Sequence, residues 1–245
     1  MSVRPIALAA CLLMAGLLNA GETAAVKASP EAREADKKAL MPVANFVGEW
    51  RGVGSMKGSG GSDAWSEESE WTWDFKGGRG ALVMLSPKGK FYTEARLEPG
   101  AKPGSFKLTA KPSTGKGAEE FAGEFNKEGD LVMDNTSAPA DRPSRLTFSL
   151  VAKGKRMVVL YQKKERKDTY MPIAELGSTL KGSGFGKFVD EHECVVTGGR
   201  GKSTVDYKGK SYWVCCGGCR DSFLENPEKE IAAFMKRKEE EKLKK

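Results

Sequence analysis

From Trp50 to about Leu180 the chain runs as a succession of short stretches suited to strands, with turn residues between them and no helical pattern intervening. Trp65 to Phe75 is the clearest. Trp71, Trp73 and Phe75 fall on one face and Thr72 and Asp74 on the other, the period of two of a strand buried on one side. The other candidates are Trp50 to Met56, Ala81 to Leu85, Phe91 to Leu97, Ser105 to Ala110, Glu119 to Phe125, Asp130 to Asp134, Arg145 to Val151, Arg156 to Lys163 and Asp168 to Leu176. Pro-Lys-Gly, Glu-Pro-Gly, Lys-Pro-Gly and Glu-Gly-Asp supply turn chemistry between them. So many short strands in sequence order specify an antiparallel meander, and a long meander must curl and close to hide its edges. The expected fold class is mainly β: an antiparallel up-and-down β-barrel, followed by a small α+β cysteine-rich module.

The segment Val43-Ala44-Asn45-Phe46-Val47 followed by Gly48-Glu49-Trp50 resembles the opening of lipocalin and fatty-acid-binding-protein barrels, over residues 44–180. The resemblance implies that Gly-x-Trp seals the barrel base and that the protein carries a small apolar ligand. Trp65, Trp71 and Trp73 are candidates to line such a pocket, although aromatic residues on an inward face serve equally as core. Some bacterial barrels of this shape ligate haem through a histidine. The single histidine here, His192, lies outside the barrel, so that mode is not expected.

Cysteine use is the second constraint. After Cys11 there is none until Cys194, and then Cys215, Cys216 and Cys219 fall within five positions. Soft-metal ligation and disulfide exchange are the two chemistries that need such clustering. Cys216 and Cys219 have the C-x-x-C spacing of a redox pair, and the even number of thiols past Cys11 also permits two disulfides. Adjacent Cys215 and Cys216 would pair only through a strained ring. Val205 to Tyr207 and Ser211 to Val214 flank Lys208-Gly209-Lys210 as a hairpin delivering Cys215. Gly217 and Gly218 then read as a knuckle folding backbone around a metal, with Cys219 opening a helix from Arg220 to about Lys236. Phe223, Ile231 and Phe234 give that helix an apolar face, and Pro227 divides it in two.

Cys194-Val195-Val196-Thr197-Gly198, the Tyr207-Lys208-Gly209-Lys210-Ser211-Tyr212-Trp213-Val214-Cys215 hairpin, Cys219, Phe223 and Pro227-Glu228 together resemble the YHS domain of the TRASH-like zinc-knuckle superfamily, over residues 193–235. The resemblance implies Cys194, Cys215 and Cys219 as metal ligands. Thr197 stands where some members carry another thiol, and Cys216 stands where many carry a small residue, so Cys216 joins the candidate ligands as a fourth thiol and His192 is a further candidate, giving a Cys₄ or a Cys₃His site. Zn²⁺ or Cu(I) is the expected cofactor, since thiolates favour soft ions.

Arg4, the apolar run Ile6 to Leu18 and Asn19-Ala20-Gly21 read as an export signal cut after Ala20, with Ala25 as second choice. Leu8-Ala9-Ala10-Cys11 is a rival lipoprotein reading, disfavoured because it splits the apolar run. No other segment is apolar enough to span a membrane. The expected organisation is a signal peptide at 1–20, a lead-in at 21–43, the barrel at 44–180, a Gly-rich linker at 181–190, the cysteine module at 191–236 and a charged tail at 237–245.

The formal charge of +7 comes from interleaved charges with no Arg-rich stripe, so nucleic-acid binding is not expected. No Ser/His/Asp set is present, and Glu67, Glu68 and Glu70 read as solvent-facing. The functional expectation is an exported, non-catalytic metal-binding protein, periplasmic or extracellular, whose barrel takes an accessory ligand or docks a protein partner. The alternative is a lipocalin-like carrier with a disulfide-stapled or structural module. A redox role for Cys216 and Cys219 is the enzymatic variant.

Overall fold

A computed structural model describes residues 29–135, 137–139, 141–167, 169–183 and 192–243. The expected signal segment, Cys11 and most of the 181–190 linker lie outside these residues.

Ten strands form the barrel: β1 (Gly48–Met56), β2 (Trp65–Asp74), β3 (Ala81–Leu85), β4 (Tyr92–Pro99), β5 (Ser105–Pro112), β6 (Glu119–Phe125), β7 (Leu131–Asp134), β8 (Arg145–Val151), β9 (Arg156–Arg166) and β10 (Thr169–Leu180). Each pairs antiparallel with its sequence neighbours, and β10 closes on β1 with Trp50 opposite Leu180. Closure leaves no strand edge to aggregate. Side chains alternate as the sequence pattern requires: Trp71 and Trp73 are buried in β2 while Glu68 and Glu70 face water. Pro172 in β10 sits at a register shift against β9, where a residue without an N–H is tolerated.

A 3₁₀ turn at Met41–Phe46 plugs one end of the barrel. Phe46 packs its ring 5.7 Å from those of Trp71 and Phe148, and its carbonyl accepts the Trp50 indole N–H at 2.8 Å. Gly48 is required where β1 leaves this plug: its φ is +146°, and a Cβ there would lie 2.5 Å from Leu180 Cδ1.

The described part of the lead-in is helical. Residues Pro30–Leu40 form helix α1, capped by the Ser29 hydroxyl. Its polar face is partly buried. Asp36 takes two hydrogen bonds from Arg79 and one from the Gly80 N–H, and Lys37 is buried against Glu230.

The cysteine module begins with the turn Cys194–Gly198, held by the Gly198 N–H on the Cys194 carbonyl at 2.8 Å. Strands β11 (Ser203–Tyr207) and β12 (Lys210–Val214) follow. Their two-residue turn, Lys208-Gly209, has both φ values positive (48° and 73°), the primed geometry that matches strand twist. Helix α2 (Gly217–Glu225) and helix α3 (Pro227–Leu243) complete the chain. Pro227 does divide the helices, and Asn226 caps α3 by accepting the Lys229 N–H. The segment expected as a charged tail is helical through Leu243.

The described part of the module packs against the barrel side. Its buried residues Cys194, Val214, Cys219 and Phe223 belong to the same apolar cluster as Trp71, Trp73 and Leu40 of the barrel side. Salt bridges Arg33–Glu225 (2.6 Å) and Lys37–Glu230 (3.0 Å) tie α1 to α2 and α3.

Candidate metal centre

Three elements converge on one point. The turn after Glu193 presents Cys194, the end of β12 presents Cys215, and the first turn of α2 presents Cys219. Their sulfurs all lie within 4.8 Å of one another, and each residue is at most 3% exposed. Cys215 and Cys219 Sγ are 3.4 Å apart. Thiolates held tetrahedrally on one ion at a metal–sulfur distance of about 2.3 Å would stand roughly 3.8 Å apart, so the spacing suits a shared ion. All four cysteines of the module are free thiols, none joined in a disulfide. The buried Thr197 hydroxyl lies 3.7 Å from Cys215 Sγ.

The three thiols shift one another's ionisation in opposite directions. Hydrogen bonds from Cys215 and Cys219 pull the Cys194 thiol well below its ordinary value despite burial. The same contacts push the others the opposite way. Cys215 is raised first by its bond to Cys194, and Cys219 first by burial and then by its sulfur neighbours. Buried thiols this close cannot all ionise unaided, since each new thiolate raises the cost of the next. A soft cation held by Cys194, Cys215 and Cys219 would remove that conflict and favour the thiolate form of each.

Two further candidate ligands are not part of the three-sulfur group. Cys216 heads α2 as its N-cap residue, with its sulfur 3.9 Å from Cys215 Sγ, and accepts the backbone N–H of Trp73 at 3.3 Å. It does not share the mutual 4.8 Å spacing of the other three. His192 stacks on Trp213 with ring centroids 4.0 Å apart and planes 6° from parallel, and is likewise outside the group.

Of the two glycines expected to form a knuckle, Gly218 has a packing role. Gly217 and Gly218 form the first turn of α2. A Cβ on Gly218 would come 1.9 Å from the Trp73 carbonyl oxygen, so this glycine lets the helix touch β2. The space around Gly217 is open.

No family model matches the chain, and no curated protein matches it. Among solved structures, the crystal structure of Rv2717c from M. tuberculosis is similar at 16% identity and a TM-score of 0.40, covering 58% of this chain and 97% of that one.

Sequence reasoning missed what holds the cysteine turn in place. Arg237 of α3 donates to the Val195 carbonyl at 2.8 Å, and Lys238 pairs with Glu193. The available signal was spacing: Ile231, Phe234 and Arg237 recur every three residues and share a helix face. Trp73 was read only as an inward ring, and no local pattern reveals that its backbone meets a thiol 143 positions away.

The barrel interior offers little room. Its cavity measures about 40 Å³, bounded by Glu67, Trp71, Tyr92, Phe148, Tyr161 and Ser178 among others. That suits a few waters, at ~10–15 Å³ each, and falls far below the roughly 300 Å³ of small-ligand pockets. Of the Trp residues proposed as a pocket lining, Trp71 borders this cavity. Glu67 corrects the solvent-facing expectation: it is 9% exposed, and its carboxylate accepts the Trp65 indole N–H and the Lys90 N–H. Glu68 and Glu70 are exposed as expected.

Proposed function

We propose that this chain is an exported, non-catalytic metal-binding protein that holds one soft ion, Zn²⁺ or Cu(I), on Cys194, Cys215 and Cys219. The observation that carries the reading is the burial of three unpaired thiols from three separate elements within 4.8 Å of one another. A cluster assembled for packing alone would gain as much from alanine or valine and would not draw its sulfurs together. The YHS/TRASH-like pattern of residues 193–235 supports the same ligand set. The lipocalin-like barrel acts as the body on which this module is mounted, with its outer surface as a docking face for a protein partner. The carrier alternative is disfavoured by the small interior cavity. Export rests on the basic start and apolar run of the first twenty residues.

The test is metal content by mass spectrometry with a free-thiol count on protein recovered from an exported compartment. The expected result is about one zinc or copper per chain, with the buried thiols unreactive until a chelator is added. Metal-free protein whose thiols are all oxidised would overturn the reading. Intact mass of the same sample checks export: a chain beginning at Gly21 fits cleavage after Ala20, and a lipid-modified chain beginning at Cys11 fits the rival.

A further inference from the structure

Cys216 is a thiol beside the three-sulfur group and outside it. Its sulfur lies 3.9 Å from Cys215 Sγ, it is half-buried where the other three are buried, and it is held toward β2 by the Trp73 N–H. Next to it the surface opens. Gly217 is exposed, and nothing lies within 4 Å of where its Cβ would stand. A cleft of about 630 Å³ runs between β2 and α2, bordered by Thr72, Trp73, Gly217, Gly218, Asp221 and Glu225. Among the described residues Cys216 is thus the thiol beside the buried trio, and the residue after it adjoins open space.

We propose that Cys216 is the exchange thiol of the site, the group through which the ion held by Cys194, Cys215 and Cys219 passes to an incoming thiol-bearing acceptor. This rests on the metal-binding reading above and adds a direction of transfer. In the step, Cys216 loses its proton to solvent and its sulfur bonds to the ion. The Cys215–metal bond then breaks and Cys215 takes up a proton. An acceptor thiol approaching over Gly217 gives up its proton, bonds to the ion in turn, and displaces the remaining protein sulfurs, which are reprotonated as they leave. The oxidation state of the ion does not change, so no oxidant or reductant is needed. The Trp73 N–H holds the Cys216 sulfur in place beside the trio.

The full-length protein is loaded with one equivalent of zinc under reducing conditions, and transfer to pyridylazoresorcinol or to dithiothreitol is followed with time. The Cys216→Ser variant keeps a polar N-cap that can accept the Trp73 N–H but lacks the soft donor. It is expected to hold zinc at the wild-type ratio and to release it to either acceptor more slowly, by roughly tenfold or more. Gly217→Leu, which crowds the approach and leaves every sulfur in place, is expected to hold the same zinc and also to slow transfer; it decides the matter if the serine variant does not fold. Loss of zinc from Cys216→Ser would make Cys216 a resident ligand and overturn the proposal. So would transfer rates within about twofold of wild type in the variants that fold. Wild-type protein that takes up no zinc or copper would instead defeat the metal-binding reading itself.

Discussion

Lys37 of α1 and Glu230 of α3 meet at 3.0 Å with both side chains buried, although they stand 193 positions apart. Glu230 also accepts the Ser222 hydroxyl at 3.1 Å, so the pair sits in a hydrogen-bonded setting. Removing one partner strands the other charge. Lys37→Met is expected to cost about 3 kcal/mol in urea unfolding. The double variant Lys37→Met/Glu230→Leu should recover most of it, because replacing both charges leaves nothing uncompensated. Equal losses in the single and double variants would show that shape, not charge, matters here.

Asp36 gives a pH dependence whose sign is fixed. Burial alone would raise its carboxyl pKa, but the hydrogen bonds from Arg79 and the Gly80 N–H outweigh it and hold the value below the ordinary carboxylate range. A folded-state value below the unfolded one contributes stability above the unfolded pKa and loses it as pH falls. The anchoring of α1 should therefore weaken progressively below about pH 4. Urea midpoints measured between pH 7 and pH 3 should fall more steeply for wild type than for Asp36→Asn, which lacks that titration.

Gly217 and Gly218 are neighbours with opposite expectations. Gly218→Ala drives a methyl into the Trp73 carbonyl and should cost roughly 1–3 kcal/mol, lifting α2 off β2. Gly217→Ala meets open space in a helical turn and should be neutral or stabilising by up to about 1 kcal/mol. Thermal melts of the two variants side by side check the assignment; similar losses would mean that α2 does not rest on the barrel as described.

Ligand binding and stability are linked at the cysteine centre. If the ion binds the folded chain alone, an excess a thousandfold above its dissociation constant adds about 4 kcal/mol. A strong chelator should lower the melting temperature of wild type and leave that of Cys219→Ser unchanged. A chelator effect of the same size in both would place the ion elsewhere.

The barrel was legible because its information is local. Trp71, Trp73 and Phe75 alternate, glycine and proline mark the turns, and the ten expected strands are found in that order with ends shifted by a few residues. The hairpin turn at Lys208-Gly209 and the break at Pro227 were readable for the same reason. The clustering of Cys194, Cys215 and Cys219 was readable too, from spacing and resemblance together. What was not readable depends on distant partners. The charges of α1 look like a solvated surface until Arg79 and Glu230 are brought to them, and Gly218 looks like a loop glycine until the Trp73 carbonyl stands against it.

The clasp between the first helix and the last imposes an order on assembly. Glu230 is translated 193 residues after Lys37, so α1 cannot acquire its buried counter-ion until nearly the whole chain has left the ribosome. Contacts so far apart in sequence slow the final search. Until then α3 cannot hold the cysteine turn through Arg237 and the Val195 carbonyl. A chain lacking α3 would leave both Lys37 and that turn without these partners.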